Sequence, residues 1–370
     1  MKYKVLIIVN STVGKRSNIG YRAGHIFQNL PKDFEIEIIS RDTLVDSNHI
    51  HVVFPFGAIL SRFLNAIRIY LFPKLPSRKI DNYFFYLFLK RLLRKKHYMK
   101  SGFDLVHLWE SEKKLYTISQ KISNNIILDV PIEPSNNDGN LMDSIKFIYE
   151  HVTQIIVPSN YVRKSIEGYL GTQPNIVVNY FGTNVNHNYH KRKKSGHQII
   201  YLFVGNVNSR KGADTLIEAW KTYQAGENEY LWLCGRIDKY ISKLIKHQSI
   251  KNIEFFGHID PNQKFSEADV FILPTTKEGS AKAIYEAMSY KLPVITTENA
   301  GSIVEDQKQG FIIEPRSVSQ IHEKLQYFRE NPNAIKVMGD AAFEKVKNYS
   351  WNDYTNRTYD IYRKVIKDQA

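Results

Sequence analysis

Short, nearly continuous apolar runs recur along this chain, each followed by a stretch with helical spacing. Lys4–Asn10 is apolar and β-rich, residues 21–30 carry helical spacing up to Pro31, and Phe34–Ser40 alternates like a strand. Asp104–Trp109, Ile126–Val130 and Gln154–Val157 repeat the strand signal, and Ser159 is placed to cap a helix through Glu167. The rhythm restarts beyond a polar stretch near residues 184–197. Strands are expected at Ile199–Val204, Tyr230–Cys234, Ile253–Phe256, Val270–Leu273, Pro293–Thr296 and Phe311–Ile313. Helices are expected at Ala213–Tyr223, Ala281–Ser289, 317–329, 333–348 and 353–367. A strand that is apolar at successive positions must be covered on both faces, which calls for parallel sheets with helices on each side. The expected fold class is therefore α/β: two doubly wound, Rossmann-like domains facing a cleft, residues 1–183 and 198–350, joined by the linker 184–197.

Composition removes several classes of function. A single cysteine in 370 residues excludes a disulfide framework and a cysteine-rich zinc site. The twelve histidines show no metal-ligand spacing. Val5–Val9 is too short for a secretory leader core, and the longest apolar run near membrane character, Tyr83–Leu89, has seven residues, so neither a leader nor a spanning helix is expected. A cytoplasmic protein fits this pattern. The formal charge of +14 asks for an anionic partner, and it is unevenly placed. Residues 1–194 hold 28 bases and 15 acids, whereas residues 195–370 hold 23 and 22. The excess is densest at residues 54–100, where two amphipathic helix candidates, Gly57–Leu71 and Asp81–His97, interleave aromatics with bases. Such a surface suits the anionic headgroups on the inner face of a membrane; the alternative is aromatic core with a solvated basic rim.

Two segments carry recognisable chemistry. Val204-Gly-Asn-Val-Asn-Ser-Arg-Lys-Gly212 joins a strand to a helix, with Gly205 for the tight turn and Arg210 and Lys211 where a phosphate would be favoured. Taken alone, it reads first as a plain strand–helix loop with exposed bases. Pro274–Met288 runs from a strand through Glu278-Gly279 into a helix whose first N–H groups, around Ser280–Ala283, can meet an anion. Glu286 follows Glu278 by eight residues, a little over two helical turns, and a carboxylate there can accept two sugar hydroxyls. An ordinary amphipathic helix with a surface glutamate has the same spacing. The preceding strand, the proline, the glycine and the following Leu292-Pro-Val-Ile295 favour the functional alternative.

With these residues the chain resembles the family-4 retaining glycosyltransferases of GT-B fold. Glu278 and Glu286 match that family's pair of glutamates separated by seven residues. Asn175–Asn184, Ala268–Pro274 and Ser350-Trp351 resemble its domain-closing segment, the strand before its motif and its terminal helix. The resemblance implies that residues 351–370 cross back to the first domain. It also implies that Glu286 binds the ribose of a nucleotide-diphosphate sugar, Glu278 the donor sugar's hydroxyls and Lys211 the departing diphosphate. Gly205, Asn206, Arg210, Gly279, Ser280, Ala281, Lys282 and Ala283 would complete the donor site, with the base near Gly257 and His258. No metal and no cofactor beyond the nucleotide sugar are implied. The sugar would go to a glycan, lipid-linked or protein-linked hydroxyl, in bacterial cell-surface polysaccharide or glycoconjugate synthesis.

Weaker candidates lie in the first half. His107 reads either as a catalytic contact to sugar or as a satisfied core histidine, and Glu110 after it has the same two readings. Gly14, Lys15 and Arg16 read as acceptor contacts or as a basic loop. Cys234 reads as a buried strand-end residue. Asn206 stands where the family usually has arginine, which keeps open a sugar-nucleotide epimerase or an inactive binder of the same fold. A nucleic-acid-binding protein rests on charge alone, with no binding motif, and no nucleic-acid partner is expected.

Overall fold

The computed structural model describes residues 2–13, 19–53, 77–95, 98, 102–132, 139–171, 173–185, 198–246 and 250–368. The helix expected at Gly57–Leu71, the basic Gly14-Lys15-Arg16 and most of the 184–197 linker lie outside them. The chain divides into two compact units. Unit 1 is Met1–Val157, Ile166–Asn179 and Thr355–Ala370; unit 2 is Pro158–Ser165 and Tyr180–Tyr354.

Unit 1 is built on seven strands: β1 (Tyr3–Val13), β2 (Phe34–Thr43), β3 (Ile50–Val52), β4 (Leu105–Leu108), β5 (Ile126–Asp129), β6 (Gln154–Val157) and β7 (Ile176–Val178). Their order is β3-β2-β1-β4-β5-β6-β7, and every recorded pairing is parallel. Val5 to Val9 are all 0% exposed, so alternate residues of β1 are covered on opposite faces. Each such side chain contributes about 1.5–3 kcal/mol on burial. The helix Trp351–Lys367 enters this unit from Thr355 onward. There Asn179 donates to Thr358 Oγ1 at 2.8 Å, Tyr359 donates to the Ile26 carbonyl, and Arg363 forks onto Asp33 at 2.9 and 3.1 Å.

Unit 2 holds six strands: β8 (Ile199–Val204), β9 (Glu229–Cys234), β10 (Ile253–Gly257), β11 (Val270–Leu273), β12 (Val294–Thr297) and β13 (Gly310–Ile313). The order β10-β9-β8-β11-β12-β13 is again parallel throughout its recorded pairs. Both sheets have the doubly wound form expected from the apolar rhythm. Ser317 caps the helix Val318–Glu330 by accepting from the Gln320 N–H, and Pro332 opens the next helix, Pro332–Val346, where a missing N–H costs nothing. Cys234 is 2% exposed, and burial pushes its thiol up to about 11.

The two three-residue strands, β3 and β7, were not anticipated from the sequence, because three residues are too few to display a period. The same holds for the short helices Lys113–Ser119, Lys239–Ile245 and Asn262–Glu267. The expected helix Asp81–His97 is Ser77–Lys95. Its Phe85, Leu89 and Leu93 are fully buried at four-residue spacing, whereas Lys90, Arg91, Arg94 and Leu87 are exposed. Among the described residues, no helix is long and apolar enough to cross a membrane.

Candidate functional site

In the second sheet the connections run outward in opposite directions from β8 and β11. The loops leaving the carboxyl ends of these two neighbours therefore diverge, which is where open parallel sheets receive ligands. Loop 205–212 follows β8 and loop 274–281 follows β11. At Gly212 the backbone has φ +74°, and a Cβ there would stand 2.0 Å from the Pro274 carbonyl oxygen. Asn208 accepts from the Lys211 N–H at 3.0 Å, closing a single 3-10 turn over Ser209–Lys211. The Arg210 carbonyl then accepts three bonds from the other loop, from the Thr276 N–H, Thr275 Oγ1 and Thr276 Oγ1, at 2.9, 2.9 and 3.1 Å. The two loops are thus fastened at the Arg210 main-chain carbonyl by one backbone N–H and two threonine hydroxyls.

That fastening brings three charged side chains together. Lys211 Nζ lies 2.7 Å from Glu278 Oε1, and Arg210 donates to the same oxygen and to the Lys277 carbonyl. The Lys211 and Glu278 side chains are 14% and 15% exposed and Arg210 is 46% exposed. Burial pulls the Lys211 ammonium below its ordinary pKa, with the Glu278 charge opposing that shift. Glu278 is held in turn: its N–H donates to the Asn299 carbonyl, and the Asn299 amide donates to the Thr276 carbonyl. The structure therefore assembles Arg210, Lys211 and Glu278 from two loops, with Arg210 and Glu278 68 positions apart.

Glu286 lies on the helix Lys282–Ser289, half-buried, and pairs with Lys282 one turn earlier at 2.9 Å. The expectation that the N–H groups around Ser280–Ala283 are all open needs correction at Ala281, whose N–H donates to the Ala300 carbonyl at 2.9 Å. Ser280 is buried and bonds Tyr285 OH, and the Gly279 carbonyl accepts from Ser159 Oγ at 2.6 Å. Ala283 is half-buried on the first helical turn. Asn206 and His258 are exposed, and Gly257 has open space around its α-carbon. Gly205 and Gly235, ending β8 and β9, approach so closely that a Cβ at Gly235 would stand 1.7 Å from the Gly205 carbonyl oxygen. Asn208, Thr275, Thr276, Asn299 and Gly235 were absent from the sequence-based site. Only the tandem threonine after Pro274 and the glycine ending β9 left a visible signal.

In unit 1, His107 takes the buried position that its core reading expects. Its ring is 0% exposed, with Nδ1 2.6 Å from Tyr362 OH and the Trp109 ring 5.1 Å away. Desolvation first, and then the Arg22 charge, push its pKa down to about 3, so it is a neutral core histidine. Arg22 itself forms a buried two-pronged pair with Asp129 at 2.9 and 3.0 Å and lies over Trp109. Glu110 is half-buried. Among the described residues, no group of three or more His, Cys, Asp or Glu is arranged to hold a metal ion.

Comparison with known proteins agrees with this geometry. Residues 186–345 match the family model described as glycosyl transferases group 1. An uncharacterised glycosyltransferase of Methanocaldococcus jannaschii is 25% identical over 236 residues, covering 61% of this chain and 65% of its own. A capsular polysaccharide biosynthesis glycosyltransferase, CapM of Staphylococcus aureus, is 29% identical over 43% of this chain and 44% of its own. The chain thus spans less than two thirds of the length of these curated relatives. Among solved structures, sucrose-phosphate synthase of Thermosynechococcus elongatus superposes with TM-score 0.75 at 17% identity, over 99% of this chain and all of the other. Anabaena HepE in complex with UDP and glucose gives 0.69 at 15%, over 98% and all. At such identities these likenesses establish the fold, and that fold is GT-B. The sequence resemblance to GT-B glycosyltransferases is borne out at that level.

Proposed function

We propose that the chain is a retaining, metal-independent glycosyltransferase that moves a sugar from a nucleotide-diphosphate sugar to a hydroxyl of a glycan, lipid-linked or protein-linked acceptor. The joining of Lys211 and Arg210 to Glu278 across two strand-end loops is the observation that carries this proposal. Breaking the bond between an anomeric carbon and a diphosphate leaves negative charge on a phosphate oxygen. A fixed ammonium and guanidinium in a partly desolvated site stabilise that charge without reorganising at the moment of reaction. With two cations there, the leaving group needs no divalent ion.

In the proposed reaction the acceptor hydroxyl attacks the anomeric carbon on the face the diphosphate leaves. A bond forms from acceptor oxygen to carbon, the bond from carbon to phosphate oxygen breaks, and the hydroxyl proton passes to the leaving phosphate. No protein nucleophile takes part. Glu286 accepts the ribose hydroxyls and Glu278 those of the sugar. The work would be done at the cytoplasmic face of a bacterial membrane, in building surface polysaccharide or glycoconjugate. Two features support this setting: CapM belongs to capsular polysaccharide synthesis, and the exposed Lys90, Arg91 and Arg94 suit an anionic surface.

The test is a thermal shift against a panel of nucleotide sugars with EDTA present. A ligand at about 100 times its Kd adds roughly 2.7 kcal/mol, an easily measured rise in Tm. One donor class should raise Tm, and Glu286→Ala should abolish the rise while leaving the unliganded melt unchanged. A flat panel, or normal turnover by Glu286→Ala, would overturn the assignment. Interconversion of sugar nucleotides without an acceptor would instead identify an epimerase.

A further inference from the structure

We propose that the Glu278 carboxylate is a resident anion that holds the place on Lys211 and Arg210 which the donor's diphosphate takes on binding. This deepens the function proposed above by naming how that same site opens. The Lys211 ammonium is nearly covered, at 14% exposed, and a cation so placed without a counter-ion would be left desolvated and unpaired. Among the described residues, the carboxylate paired with it is Glu278, at 2.7 Å, and Arg210 donates to the same oxygen. Meanwhile the main chain of both loops is fixed through the Arg210 carbonyl and the Asn299 bridge. The exchange therefore falls to side chains: a phosphate that reaches the two cations must displace the carboxylate.

Displacement has a second effect. Held by two cations, Glu278 Oε1 is occupied; once released, its lone pairs are free for sugar hydroxyls. Binding of the diphosphate thus frees the group that recognises the sugar. A bare diphosphate, which offers no hydroxyls in return, competes with the carboxylate at a loss. Removing that carboxylate's charge should therefore strengthen diphosphate binding, which is the opposite of what deleting an ordinary binding residue does.

The experiment is calorimetric titration of UDP, GDP, ADP and inorganic pyrophosphate into the wild-type chain and Glu278→Gln, at low and high salt. The variant is expected to bind the preferred diphosphate about tenfold more tightly at low salt, with the gain shrinking as salt rises. The matching nucleotide sugar should gain less than the bare diphosphate does. Should Glu278→Gln fail to fold, as judged by its melt, Glu278→Asp retracts the carboxylate by one methylene and should show a smaller gain in the same direction. Equal or weaker diphosphate binding by the variant overturns the exchange and leaves the proposed function standing. If neither protein binds any of the four probes, the proposed function fails and the exchange fails with it.

Discussion

Burial decides what His107 does. A ring that is 0% exposed and neutral in the fold, with a pKa near 3, is protonated readily only when the chain unfolds. Its folded pKa is depressed below the ordinary 6.5, so its contribution to stability is fully present above pH 6.5 and is lost as pH falls toward 3. Urea titrations from pH 7 to pH 5 should show stability falling by up to about 1.4 kcal/mol per pH unit below 6.5 from this residue, and His107→Asn should flatten that slope. An unchanged slope would mean the ring is not buried neutral. Lys211 carries the opposite expectation. Lys211→Ala should lower kcat by about 10²–10³ with little change in the unliganded melt, and Lys211→Arg should recover part of the loss in a steady-state assay. Glu278 was legible from its strand, proline and glycine together with its spacing to Glu286, and Lys211 through the family resemblance, since its loop alone reads as a plain turn. Asn208, Thr275 and Thr276 were not, because they act on the Lys211 N–H and the Arg210 carbonyl, and main-chain partners leave no mark on a sequence.

Among the elements, the apolar strands of the second sheet were readable nearly from end to end, whereas β1 and β2 run three residues beyond the stretches the sequence marks and the joints between strands were not readable. Ile199–Val204 and Val270–Leu273 fall where the apolar runs place them, since a strand buried on both faces has no choice of residue type. By contrast, the fastening of loop 205–212 to loop 274–281 depends on a positive φ and a close approach at Gly212, and both are three-dimensional facts. Gly212→Ala sets a methyl group 2.0 Å from the Pro274 carbonyl oxygen, so one loop must move. Loss of more than about 2 kcal/mol of stability is expected on denaturant unfolding, together with weaker nucleotide binding. Wild-type stability in that variant would show that the loops are not tightly joined.

Across the whole molecule, the two doubly wound units follow from the repeated rhythm, but the assignment of the last helix to unit 1 rests on the resemblance and on no periodicity. The charge distribution belongs to this scale as well. The bases of the helix Ser77–Lys95 that are described, Lys90, Arg91 and Arg94, lie on its exposed face beside Leu87, which is 52% exposed. Flotation with vesicles containing anionic lipid should carry the protein at low salt and release it at high salt. Charge reversal at these three positions should abolish flotation without altering nucleotide binding. Absence of flotation at low salt would remove the membrane from the proposal.

The return of Thr355–Ala370 to the unit that begins the chain has a consequence for the order of events on the ribosome. Synthesis is vectorial, and domains ordinarily fold as they emerge, the first one first. Here the sheet of unit 1 waits for its closing helix, with Tyr359 and Tyr362 still untranslated, until about 180 residues beyond Asn179 have been added. Unit 2 has its own strands in hand by then. Unit 1 is therefore the last to be completed, with its closing helix made after the strands of unit 2.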